Sequence, residues 1–222
     1  MENLNNFNQE NMKGFSPEKS KRSIGRKIFC FIKWFLIVVL ALFVVALILR
    51  SIQLSQIEKT EKQVEIIHAT RITMDDVMGL NLPSDPGEEG NKTVEGIDSN
   101  QNGIRDDVEV AIFKEYPSSA KTRAALLQYA RAHMLSGQQI NMNNVIATEI
   151  SREISRGSFC ISSIIPEGEN SFGKYLSLID FMEDVLFNTK ARQDFSNSFF
   201  EKVRSYSDLE YECDIDYSHL LN

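Results

Sequence analysis

Between Trp34 and Leu49 the chain reads WFLIVVLALFVVALIL, sixteen residues without a polar side chain. Ile28 to Ile32 lengthen the apolar run to 22 residues, broken once by Lys33. Coiled as an α-helix, that run reaches about 33 Å, enough to cross the hydrocarbon core of a bilayer. Lys33 lies near one end, where its stem can carry the ammonium to the interface, and Trp34 beside it suits an interfacial anchor. A cleaved signal peptide is disfavoured, since its apolar core is shorter and ends in a small-x-small site, whereas this run leads into LILRSIQL.

Charge gives the span a direction. Residues 1–50 hold eight Lys/Arg against Glu2, Glu10 and Glu18, a net +5; the whole chain carries -7, leaving -12 for residues 51–222. The positive-inside rule puts 1–27 in the cytoplasm and 51–222 outside it. The acidic part speaks against nucleic acid as a partner, because phosphate binding needs clustered Lys and Arg. The expected organisation is a disordered basic tail (1–27), a transmembrane helix (28–49) and a stalk with a Pro/Gly-rich linker (50–95). A calcium loop with a helical domain (96–206) and an acidic strand or tail (207–222) follow. Cys160 and Cys213 both fall in the exported part, where a disulfide persists, and pairing them would close a loop of about 50 residues; two unpaired thiols are the alternative.

After residue 104 the apolar pattern has helical period. Helices are expected over Arg105–Glu115, over SAKTRAALLQYARAHML to a stop at Gly137, and from Asn143 or Asn144 to a stop at Gly157. Two more are expected over 171–188 and from Lys190. Their stripes include Ala124, Leu127 and Ala130; Ile146, Ile150 and Ile154; Phe172, Tyr175, Ile179, Met182 and Leu186; and Ala191, Phe195, Phe199, Val203 and Tyr206. Val64–Met78 fits strand or helix. The fold class is therefore all-α: a transmembrane helix, then a small exported bundle of four or five helices. Only LEYECDIDY (209–217) has period two, reading as an edge strand or extended tail with Glu210, Glu212, Asp214 and Asp216 on one face.

The stretch GIDSNQNGIRDDVE (96–109) carries the one chemical motif. Counting from Asp98, oxygen side chains stand at positions 1 (Asp98), 3 (Asn100), 5 (Asn102), 9 (Asp106) and 12 (Glu109). Gly103 is at position 6, and Ile104 at position 7 can ligate through its carbonyl. A hard cation that wants six to eight oxygens is served by this spacing, and the pattern D-x-[DN]-x-[DN]-G-x5-E is complete. The expected metal is Ca²⁺ rather than Mg²⁺, bound weakly at about 10⁻⁴ to 10⁻³ M. Position 8 is Arg105, where a paired EF-hand carries an aliphatic residue, and the preceding segment is rich in Pro and Gly. The motif is thus half an EF-hand. It resembles the loops of dockerin modules and thrombospondin type 3 repeats. With the following YP and KTRAALLQYA, it also resembles uncharacterised bacterial envelope proteins with one such loop. That resemblance covers about residues 82–132 and implies export and a calcium loop, but no activity.

No HExxH, CxxC, GxSxG, P-loop or GxGxxG motif is present, and His68, His133 and His219 lie far apart. His133 reads as a packing residue. The expected function is a membrane-anchored, non-enzymatic interaction or scaffold module with an envelope protein partner; the alternative is a membrane-tethered cell-envelope hydrolase.

Overall fold

The computed structural model describes residues 18–138, 142–206 and 211–220. Of the tail expected to be disordered (1–27), residues 18–27 are helical, the start of the first helix; residues 1–17 fall outside the described ones, as do Leu209 and Glu210. Among the described residues there are seven α-helices and no strand: α1 (Glu18–Ala69), α2 (Met74–Met78), α3 (Asp106–Glu115), α4 (Ala120–Gln138), α5 (Asn144–Ser163), α6 (Ser171–Leu186) and α7 (Lys190–Phe200). Two short 3₁₀ turns, Gly87–Asn91 and Tyr217–His219, complete the elements.

The chain divides into two units, one ending at Ile57 and one beginning at Glu58. The first is helix. Its apolar side chains from Ile28 to Ile57 are exposed along the whole length, and this one helix is long and apolar enough to cross a membrane. Its helical conformation continues through the stretch expected as a stalk, to Ala69. Val64–Met78 is therefore helical, interrupted only between Ala69 and Met74.

The second unit is built around α4. Ala124, Ala125, Leu126, Leu127 and Ala130 are all 0% exposed, so α4 is covered on every side rather than along one stripe. Alanines make this possible, because they let neighbouring helices approach from several directions. Helix α5 is its main partner, with α2, α3 and α6 packing around it. Ile67, Ile72 and Val77, from the stretch expected as stalk and linker, join the same core.

Several expected boundaries are corrected by packing. Gly157 is not a stop: α5 runs through it to Ser163. A Cβ at that position would meet Tyr129 Cα at 2.8 Å, so the glycine sets how closely α5 lies on α4. Helix α4 is described to Gln138, one residue past the expected stop at Gly137. On α6, Phe172 is 71% exposed, while Met182 and Leu186 are buried. On α7, Ala191 is exposed and Arg192 is buried.

Residues 211–220, the described part of the C-terminal segment, hold no strand, which leaves the extended tail of the two expected forms. Cys213 is joined to Cys160 of α5 by a disulfide, with 5.8 Å between the Cα atoms. Asp214 turns inward instead of sharing an acidic outer face. Its carboxylate pairs with Arg156 at 2.5 Å and Arg71 at 3.3 Å and accepts from Ile72 N at 3.0 Å. Arg156 also grips Glu153 at 2.6 Å. Buried guanidinium groups need carboxylates, and that demand overrides the two-residue alternation.

The two helical glycines have opposite expected responses to alanine. Gly137→Ala meets nothing nearer than 4.0 Å and should stabilise the fold by about 0.5–1 kcal/mol. Gly157→Ala strikes backbone and should destabilise it by about 1–3 kcal/mol. Melting curves of the full chain in detergent should move in opposite directions.

Candidate metal centre

The loop closes on itself before helix α3 begins. Asp106 N donates to Ile97 O at 2.8 Å, joining its two ends. Gly103 has φ +83°, a left-handed conformation that glycine tolerates without strain. A side chain there would also strike the Arg131 guanidinium, 2.9 Å from a Cβ. The acidic first turn of α3, Asp106, Asp107 and Glu109, suits the positive end of the helix dipole.

The predicted ligands are not all brought together. Asp98 Oδ2 accepts from Gly103 N at 2.9 Å, while its Oδ1 is buried without a hydrogen-bond partner. Asn100 Oδ1 and Asn102 Oδ1 accept from Asn102 N and Ile104 N. Their amide nitrogens both donate to Glu109, Asn102 at 2.8 Å and Asn100 at 3.2 Å. Asp106 departs from expectation. Both of its oxygens are taken by Ser99, Oδ1 by the backbone N–H at 2.8 Å and Oδ2 by the hydroxyl at 2.6 Å, so it braces the loop. Ile104 is buried at 0% exposure, which fixes the chain at position 7.

Glu109 is the unusual group. It is 1% exposed, and the partners of its carboxylate are neutral amides. Burial pushes its pKa up to about 7; the Asn102 and Asn100 hydrogen bonds oppose this, and the charges of Asp76 and Asp98 add to it. Asp76 on α2 was not singled out in the sequence, being 22 residues before the loop. Its Oδ1 accepts from Asn102 Nδ2 at 3.1 Å. No local spacing signals that contact.

Arg105, at the unpaired position 8, has its own task. It is 3% exposed. Its guanidinium holds Asp107 at 2.8 Å and donates to the Val185 and Leu186 carbonyls at 3.0 Å each. A cation at the C-terminus of α6 satisfies carbonyls that have no partner within the helix.

A cavity of about 60 Å³ adjoins the loop, lined in part by Asp98, Ile104, His133, Phe187 and Phe195. His133 sits edge-on between Tyr129 and Phe187, at 4.6 and 5.5 Å between ring centres. Burial lowers its pKa to about 4. Its Nε2 has no partner. His68 lies elsewhere, against Glu149 at 3.1 Å, and His219 ends the last 3₁₀ turn.

The loop's donors are oxygens, the type a hard divalent cation takes. The loop offers one orphaned carboxylate oxygen, a buried carboxylate without a cationic partner, and neutral oxygens with no thiolate or imidazole among them. Among the described residues no three His, Cys, Asp or Glu side chains form a metal-holding group by themselves, so amide and carbonyl oxygens would have to complete any such site. Matched against protein-family models, curated proteins and solved structures, the chain finds no counterpart.

The raised pKa of Glu109 means that the folded chain holds this proton more tightly than the unfolded chain. Its stabilisation is complete below about pH 4.5 and is lost as pH rises through about 7. Melting of the metal-free protein in chelator should show this contribution falling across that interval. Glu109→Gln should flatten the fall; an unchanged pH profile in the variant would contradict the assignment.

Proposed function

We propose that this chain is a single-pass membrane-anchored envelope protein whose helical unit serves as an interaction or scaffold module for an envelope protein partner, with Ca²⁺ as a structural ion in the 98–109 loop. The observation that carries the metal reading is the pairing of Glu109, buried with only amide partners, with the partnerless Asp98 Oδ1. Asp98, Asn100, Asn102, the Ile104 carbonyl and Glu109 would hold the ion, with Asp106 bracing the loop through Ser99. Bound Ca²⁺ supplies two positive charges where the protein has gathered negative ones. The chain's own part is to hold the entry to α3 against the α6 terminus through Arg105.

The basic N-terminal flank and the long apolar helix support an anchor with a cytoplasmic N-terminus. The Cys160–Cys213 disulfide suits an oxidising compartment for the remainder. The hydrolase alternative would rest on His133 and Asp98 lining one cavity. An unprotonated imidazole between two aromatic rings, with no group to orient it, favours the scaffold reading instead.

Calorimetry on the full chain in detergent micelles should detect Ca²⁺ binding at about 10⁻⁴ to 10⁻³ M, with a higher melting temperature. Asp98→Ala should remove both effects. No heat and no thermal shift in the wild type would dispose of the calcium reading. For topology, alkaline phosphatase fused after Ala69 should be active in a bacterial host, and fused after Lys27 inactive; the reverse pattern would overturn the orientation.

A further inference from the structure

We propose that the groove between α5 and the start of α6, walled by Phe172 and Tyr211, binds a neutral oligosaccharide. None of the residues lining it belongs to the 98–109 loop, and the inference does not rest on the calcium reading.

The floor of the groove begins as a sequence pattern. Ser155, Ser158, Phe159 and Ser162 recur at spacings of three and four, so they share one face of α5. A helix face covered by a neighbour is apolar, and a solvated one is commonly charged. This face carries small hydroxyls around a single ring. Their hydrogen bonds leave capacity of both kinds. Ser162 donates to the Phe159 carbonyl at 2.7 Å, so its oxygen remains an acceptor. The Ser158 and Tyr175 hydroxyls lie 2.7 Å apart; one of their two protons fills that bond and the other can be donated.

The walls are aromatic and open to solvent. Phe172 is 71% exposed and Tyr211 is 62% exposed. Exposed rings gathered on one groove, rather than scattered, mark a binding surface. Both walls are held in place. Cys213, two residues beyond Tyr211, is bonded to Cys160 beside Phe159, and Tyr211 meets the Phe159 ring edge-on at 4.8 Å. Phe172 lies nearly parallel to Tyr175, at 6.5 Å between ring centres, and Tyr175 is tied to α5 through Ser158. The space between has a volume of about 560 Å³, within the range of small-ligand sites.

Charge and hydroxyls select the occupant. Among the described residues lining the groove only Glu167 is charged. A polyanion would meet no cation there, and a basic segment only one carboxylate. An acyl chain would bury the serine and tyrosine hydroxyls against hydrocarbon. A pyranose ring meets both requirements: its C–H face lies flat on an aromatic ring, and its hydroxyls both donate and accept. Two separate aromatic walls give two stacking places, hence a chain of sugars rather than one.

The test uses the full chain in nanodiscs, which avoids sugar-headed detergents. Short α- and β-linked oligosaccharides of glucose, galactose, mannose and N-acetylglucosamine are screened on an array, and the tightest binder is titrated by calorimetry. Phe172→Ala and Tyr211→Ala should each weaken binding about tenfold or more, while Tyr211→Phe, which keeps the ring, should stay within about threefold of wild type. Glu167→Gln should leave the affinity unchanged, as should Phe200→Ala, an exposed ring on α7 outside the groove. Melting curves matching the wild type would show that the variants fold; Phe172, the more exposed wall, is the change least able to disturb it. No binding to any sugar on the array would overturn the inference, and so would binding that survives both alanine variants. Concentration-dependent self-association in sedimentation, abolished by Phe172→Ala, would also overturn it and give the groove to a second copy of the chain.

Discussion

Helix α5 can lie against α4 as it does only because position 157 lacks a side chain. With Tyr129 Cα 2.8 Å from where a Cβ would stand, any larger residue would force the two backbones apart. That close approach organises the unit from Glu58 onward. It lets α4 run through the middle with alanines on several faces, and it sets the space that α2, α3 and α6 fill. Close packing of this kind leaves little room for adjustment, so the positions of loops and helix ends follow from it.

A small bundle with irregular connections also has carbonyl groups to satisfy away from water. Buried arginines do this repeatedly here. Arg105 holds the last carbonyls of α6. Arg123 holds those of Tyr116 and Pro117 beyond α3, and Val77 of α2. Arg192 reaches Gly90, Thr93 and Val94 in the linker. Each guanidinium offers five donors in a rigid fork, so one side chain can tie two elements together. Arg156 works differently, joining Glu153 of α5 to Asp214 beyond the disulfide. These contacts hold the linker and the C-terminal segment to the helices.

In the acidic loop the facing cation, Arg131, acts on Asp76 and Asp98, while Glu109 is held by amides. Glu109 is as buried as the apolar core residues, yet its carboxylate partners are amides rather than guanidinium or ammonium groups. Asp76 and Asp98 stand close enough to raise its pKa further. Asp106, equally buried, is likewise held by neutral donors, the Ser99 N–H and hydroxyl. The calcium proposal rests on the buried Glu109 and the partnerless Asp98 Oδ1 together with the spacing of the motif.

How much of this was legible in the sequence varies from element to element. The apolar run from Ile28 to Leu49 and the existence of helices α3 to α7 could be read directly, because apolar residues recur there every three to four positions. The start of α3 was legible too, since Asp106, Asp107 and Glu109 form an acidic first turn. What sequence could not supply were contacts between distant segments. Gly157 looks like a helix stop until Tyr129 is placed against it. Arg105 looks like a defect in the motif until the α6 carbonyls are beside it, and the alternation in LEYECDIDY suggests a strand until Arg156 draws Asp214 inward. Asp106 departs from its expected place because Ser99 takes both of its oxygens, and Asp76 of α2 meets the loop at Asn102. The sequence by itself determined an all-helical chain with a membrane-length helix and a local cluster of oxygen donors. Tertiary structure alone decided which of those donors face one another, because burial and charge pairing depend on neighbours that no local spacing records.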